Sequence, residues 1–205
     1  MPEEHRKAIE RYADRLRLFG PGPRALGWRD DQQQRLRFKV LAEGARSLYG
    51  KRVLDVGCGF GDLYDFLSAE KIDVHYTGCD ISPDLLAIAR ERHPELRFEL
   101  RDILEDHYPD SAFDYVLMSG LFNHRLEHNE AFLRGLLSAA FRASTIGVGA
   151  NMMTDQVDYR EDYLYYFNPE SVLRLCQKLS RHVSLRHDYP LFEFTVFIYH
   201  NANRC

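Results

Sequence analysis

Three glycines at alternate positions, Gly57, Gly59 and Gly61, close the apolar run Val53-Leu54-Asp55-Val56 and stand just before a helix-forming segment at Leu63. Glycine lets a chain turn tightly and brings its backbone within contact distance of a bound molecule. A strand that ends in such a turn and opens a helix is a nucleotide-binding signature. The spacing narrows the choice. A dinucleotide fold requires G-x-G-x-x-G, which would place the third glycine at position 62. Position 62 is Asp62, and the glycine stands at 61. An acid at the mouth of the helix disfavours a pyrophosphate there and tolerates a ligand that carries positive charge.

The rest of the chain alternates. Helices are expected at 3–19 and from Asp30 or Asp31 to about Ser47, separated by the breaker Gly20-Pro21-Gly22-Pro23. The stripe Ile9, Tyr12, Ala13, Leu16 and Phe19 marks the buried side of the first; Leu36, Val40, Leu41 and Ala45 mark that of the second. Strands are predicted at 52–56, 74–80, 96–100, 113–118 and 144–151, with helices at 61–70, 83–92 and 129–142 between them. Ser82-Pro83 and Asn168-Pro169 each combine a capping side chain with proline at the first helical position, the second opening a helix to about Leu179. Such alternation implies a parallel sheet covered on both faces. Val183 to Tyr189 and Phe194 to His200 also read as strands. Only Pro190-Leu191-Phe192-Glu193 joins them, so they must be antiparallel.

The stretch from Asp55 to Gly61, D-x-G-x-G-x-G after a strand, resembles the first motif of the class I S-adenosylmethionine-dependent methyltransferases. The resemblance extends through Tyr76-Thr77-Gly78-Cys79-Asp80, Phe98 to Ile103 and Phe113 to Met118, and covers roughly residues 50 to 200. It implies an α/β, Rossmann-like, seven-stranded, mostly parallel sheet of order 3-2-1-4-5-7-6 with the last strand antiparallel. Helices would cover both faces, with cap helices at the N-terminus. One domain over 1–205 is expected, with 1–48 as cap and 49–205 as cofactor-binding core.

In an open parallel sheet, ligands bind beyond the carboxyl ends of the strands. The resemblance gives Asp80 the cofactor ribose hydroxyls, for which a carboxylate offers two acceptor oxygens; a helix-capping role before Ser82 is the alternative. Asp102 would reach the adenine amino group beside the Ile103 backbone, or else cap the segment that starts there. Ile81 could pack on the adenine face. Asp55 inside its strand needs partners, either loop N–H groups or the cofactor ammonium. Gly57, Cys58, Gly59 and Gly61 form the loop, and Ser119 ends the fourth strand at the same crevice. Arg37, on one face with Gln33, is a candidate for the cofactor carboxylate, and Trp28 for a cover over the site. A surface arginine and a core tryptophan are the plainer alternatives.

For the chemistry, the segment after the fourth strand is best placed. His124 could act as a base and Asn123 could orient the acceptor, while Arg125 could bind an anionic group on it. Exposed loop residues are the alternative. The aromatic segment 155–167 is a second candidate wall, with Tyr163 or Tyr166 facing the sulfonium, and Glu193 is a weaker candidate at the hairpin tip.

The expected function is methyl transfer from S-adenosylmethionine to oxygen or nitrogen of a small-molecule acceptor. An enzyme that uses S-adenosylmethionine itself as substrate, by cyclisation or cleavage, and a non-catalytic binding protein stand as alternatives. A net charge of -4 gives no basic excess for nucleic acid. Arg181, His182, Arg186 and His187 read as a solvated strand edge. No apolar run approaches the ~20 residues that span a bilayer, and the charged start lacks a signal peptide. Cys58, Cys79, Cys176 and Cys205 are scattered, which predicts no metal and reduced thiols in a cytoplasmic protein, as a monomer or homodimer.

Overall fold

The computed structural model describes residues 3–27, 31–45 and 47–201. Two helices lead, α1 (Glu3–Phe19) and α2 (Asp31–Gly44). Then follow β1 (Arg52–Val56), α3 (Asp62–Ala69), β2 (His75–Asp80), α4 (Pro83–Arg92), β3 (Arg97–Leu100), β4 (Phe113–Met118), α5 (Asn129–Ala143) and β5 (Ser144–Met153). The chain ends with α6 (Pro169–Gln177), β6 (His182–Arg186) and β7 (Glu193–Tyr199). The seven strands form one sheet of order β3-β2-β1-β4-β5-β7-β6. The first five pair in parallel, and β7 runs antiparallel to both β5 and β6.

Successive residues of a strand face opposite sides of a sheet, and both sides here are covered. Leu54 and Val56 of β1 point to the face packed by α5 and α6, with Leu133, Leu137 and Val172. Val53 points to the other face, with Phe38 of α2 and Leu63 and Leu67 of α3. The predicted caps form as expected. The Ser82 hydroxyl accepts from the Leu85 N–H at 3.4 Å, and the Asn168 side chain accepts from the Ser171 N–H at 3.0 Å.

Two local expectations change. At α2, Val40, Leu41 and Ala45 are buried as expected, but Leu36 is only half-buried, and Gln34, Arg37 and Phe38 join the inward face. At the C-terminus β6 stops at Arg186, because Tyr189 turns inward to share a hydrogen bond with the Thr195 hydroxyl at 2.9 Å. The connection is therefore wider than four residues. Glu193 stands at the start of β7, buried, rather than at an exposed tip.

That shift has a partner in α2. The Arg37 guanidinium donates to both Glu193 oxygens, at 2.7 and 2.6 Å, with Arg37 6% and Glu193 1% exposed. A buried two-point pair of this kind fixes register strongly, because either charge left alone in the interior is costly. It clamps α2 to the start of β7, an inner strand between β5 and β6. α2 also approaches closely because Gly44 has no side chain: a Cβ there would lie 1.9 Å from the Phe197 ring.

Arg37→Met alone should lower stability by about 3–5 kcal/mol in urea unfolding, and the double change Arg37→Met/Glu193→Leu should recover most of it. Equal losses in the two proteins would show that packing, not the orphaned carboxylate, carries the cost.

Candidate active site

The carboxyl ends of β1, β2 and β4 and the segment after β3 open onto one cleft. The loop after β1 is tied down by β2. The Gly57 and Cys58 N–H groups both donate to the Cys79 carbonyl, at 2.8 and 3.1 Å. Gly57 holds φ +73°, and a Cβ there would lie 2.5 Å from a Leu121 methyl. The loop thus requires glycine at this point, both for its left-handed backbone and for the close approach of the wall opposite. Gly59 also lines the cleft, whereas Gly61 lies behind it and starts α3.

Asp80 organises this end. One oxygen accepts the Gly59 N–H at 3.0 Å and the other accepts the Ser82 N–H at 2.9 Å. The carboxylate therefore locks the loop to the start of α4, close to the capping alternative, while it also lines the cleft. Burial pushes its pKa up, against those backbone hydrogen bonds. Asp55 accepts from the Tyr76 hydroxyl at 2.7 Å and also lines the cleft. Burial raises it to about 7, with the Asp80 and Asp62 charges adding. Asp62 accepts from the Gln34 amide at 2.9 Å, which ties α2 to the glycine loop. Asp102 caps its own turn through the Leu104 N–H at 2.9 Å and faces the cleft as well, beside Ile103, with Ile81 opposite.

The other end is built on the loop after β4. Ser119 lines the cleft, and buried Asn151 sets its turn by accepting the Gly120 N–H at 3.0 Å and donating to the Ser119 hydroxyl at 3.2 Å. His124 lines the cleft farther along. Its loop is stapled to the aromatic segment, since the Arg125 N–H donates to the Tyr163 carbonyl and the Tyr165 N–H to the Asn123 carbonyl, both at 2.9 Å. Asn129 adds a hydrogen bond to the His124 carbonyl at 2.8 Å.

α1 lies across the mouth. Tyr12 and Leu16 pack on Phe60 and Leu85, while the Tyr12 ring meets the edge of His124 with centroids 6.3 Å apart. Burial, then the charges of Arg11 and Arg15, lower the His124 pKa to about 4. The imidazole is therefore uncharged near neutral pH.

The cleft gathers Asp55, Gly57, Cys58, Gly59, Asp80 and Ile81, together with Asp102, Ile103, Ser119 and His124. It does not gather Arg37, whose guanidinium is held by Glu193. Asn123 is buried behind the loop, with its Oδ1 lacking a hydrogen-bond partner. Tyr163 is 61% exposed and stands at the rim, 6.5 Å from the His124 ring, and Tyr166 hydrogen-bonds the Glu161 N–H instead. Arg125 turns outward to the Asp162 carbonyl. Trp28 lies outside the described residues. The sequence reading missed Arg11, Tyr12 and Gln34. The apolar stripe of α1 hinted at Tyr12 alone, without saying where that helix would dock, and nothing local marked Arg11 or, on α2, Gln34.

These residues suit S-adenosylmethionine: acids for its cationic end, Asp80 for a ribose, and Ile81, Ile103 and Leu136 as apolar faces for an adenine. Known proteins agree. The family described as a methyltransferase domain matches residues 53–142. A Mycobacterium tuberculosis protein that carries the provisional name of a methyltransferase is 36% identical over 154 residues, spanning 70% of this chain and 90% of its own. Phosphoethanolamine N-methyltransferase 1 of Arabidopsis thaliana is 46% identical over 71 residues, which are 33% of this chain and only 14% of that protein. The magnesium protoporphyrin IX methyltransferase of Synechocystis PCC 6803, solved with bound S-adenosylhomocysteine, shares the fold with a TM-score of 0.68. That similarity spans 97% of this chain and 100% of the other at 14% identity.

The state of Asp55 sets a pH signature. Its pKa rises on folding from the ordinary carboxylate value near 4 to about 7, so the folded protein keeps a proton that the unfolded chain releases. Stability from this group therefore falls as pH rises from about 4 to 7. Asp55→Asn, which still accepts from Tyr76, should gain on wild type across that window, reaching about 4 kcal/mol above pH 7 by denaturant unfolding. A pH-independent difference would show that Asp55 ionises freely.

Proposed function

This chain belongs to the class I S-adenosylmethionine-dependent methyltransferases, and we propose that it methylates an oxygen or nitrogen of a small-molecule acceptor held against His124. The observation that supports a small acceptor is the roof. α1 spans from α4 to the His124 loop, and Ala8, Arg11 and Tyr12 line the cleft from above. A folded macromolecule would have to displace that helix to present a nucleophile. The Arabidopsis and Synechocystis relatives carry the names of small acceptors, which agrees with this reading.

Bound at the acid-lined end, S-adenosylmethionine supplies an electrophilic methyl on a sulfonium and leaves as the neutral thioether. The residues of this chain do the rest. Asp80, Asp55 and the Gly57–Gly59 backbone would hold and orient it, and alignment with the acceptor is the larger part of catalysis for such a displacement. His124, uncharged and lining the cleft, takes the proton that an acceptor hydroxyl or ammonium-derived N–H releases. The Asn123 and Tyr163 backbones act through the loop, holding His124 in place rather than touching the reacting atoms. Among the described residues no helix is long and apolar enough to cross a membrane.

A labelled-methyl screen over small hydroxy and amino compounds should yield S-adenosylhomocysteine and a methylated acceptor. With that acceptor, His124→Gln should lower kcat by about 10²-fold while the affinity for S-adenosylhomocysteine is kept. Asp80→Ala should instead lose ~2 kcal/mol of that affinity by calorimetry. Methylthioadenosine as the product would transfer the case to an intramolecular reaction of the cofactor.

A further inference from the structure

The cleft is lined by two arginines in very different states. Arg101 is engaged, with Glu99 at 3.1 Å, Asp106 at 3.3 Å and its guanidinium 4.2 Å from the Tyr108 ring centroid. Arg11 lines the same cleft from α1 and makes no hydrogen bond or ion pair with a described residue. Its neighbour Arg15 is also engaged, donating to the Ala25 carbonyl at 3.2 Å. Arg11 is thus a cation over a largely apolar cleft that pairs with none of the described residues.

Its electrostatic neighbourhood places it along the cleft. Arg11 and Arg15 are the charges that act on His124, whereas Tyr12, whose ring meets His124, feels Asp80 as well as Arg11. Asp80 and Asp55, at the glycine-loop end, respond instead to burial, to their own hydrogen bonds and, for Asp55, to neighbouring acids. Arg11 therefore belongs to the end where the acceptor would lie, beside the only imidazole of the lining.

We propose that Arg11 binds an anionic group of the acceptor, a carboxylate or phosphate, and that its occupation by that group readies His124 to take the acceptor's proton. The inference rests on the small-molecule methyltransferase reading above. An imidazole that protonates only near pH 4 is a weak base at neutral pH. The charged or titratable groups facing it are Arg11, Arg15 and Tyr12 from α1 and Tyr163 from the segment stapled to its loop. An anion on Arg11 cancels the first-named repulsive charge and adds an attractive one, so the ring gains proton affinity only when an acceptor of the right charge is present.

The test uses the protein saturated with S-adenosylhomocysteine, with benzoate and inorganic phosphate as anionic probes and benzamide as the neutral control. In NMR titration the His124 pKa should rise by about one unit when either anion binds, and not with benzamide. Arg11→Gln should abolish that rise and weaken anion binding by about tenfold, and Arg11→Lys should restore part of both. S-adenosylhomocysteine should bind all three proteins alike. Loss of its affinity in Arg11→Gln would assign Arg11 to the cofactor carboxylate and overturn the proposal. Equal binding of benzoate and benzamide, or a His124 signal indifferent to both anions, would also overturn it. Failure of wild type to bind S-adenosylhomocysteine would instead remove the parent reading.

Discussion

The site depends on one carboxylate. Asp80 accepts the Gly59 N–H with one oxygen and the Ser82 N–H with the other, and so joins the turn after β1 to the helix start after β2. Both donors belong to segments that leave the sheet and would otherwise face solvent or ligand unpaired. Two parallel strands alone would align only their own backbones. The carboxylate extends that alignment past the strand ends, into the region where a ligand must meet a preformed surface. The carbonyl of Cys79 contributes from the same strand by accepting the Gly57 and Cys58 N–H groups. The glycine loop is thereby shaped by β2 as much as by its own sequence.

Much of this was legible in the chain, and for identifiable reasons. The β1 loop carries its information locally: the left-handed backbone at Gly57 and the caps at Ser82 and Asn168 are properties of a few adjacent residues. Strand and helix positions followed from periodicity, and the sheet order from the family resemblance. The α4 start is a case where local chemistry fixed the boundary outright, with a capping hydroxyl and then a proline at Pro83.

What could not be read was set by contacts distant in sequence. Arg37 and Glu193 are separated by most of the chain, and neither carries a local sign that the other will meet it in the interior. Read alone, Arg37 is a free cation on a helix and invites a ligand. Paired, it is a structural bolt. Arg11 shows the converse: it sits in a charged helix where one arginine looks like the next, and only the docking of α1 sets it over the cleft. The aromatic segment 155–167 was legible as an unusual composition but not in its role. Its backbone, more than its rings, matters, since the Tyr163 carbonyl and the Tyr165 N–H staple the loop that bears His124.

These contacts give the cleft a polarity. At one end Asp62 and Asp80, both half-buried, stand close enough to buried Asp55 that their charges add to burial in raising its pKa. That end costs the empty protein stability and is relieved by a cation, which a sulfonium donor with an ammonium group provides. At the other end burial, and then the charges of Arg11 and Arg15, hold the proton off His124, and an anion would offset the charges. A ligand pair of the opposite arrangement would set like charges together at both ends, in surroundings where screening is weak. If donor and acceptor bind as proposed, the field would sort one from the other before any shape complementarity acts. The same charges that make each end unfavourable when empty make it selective when filled. A neutral acceptor would fill the space but leave His124 as poor a base as in the empty cleft, so selectivity would appear in turnover even where the cleft is loose enough to bind both.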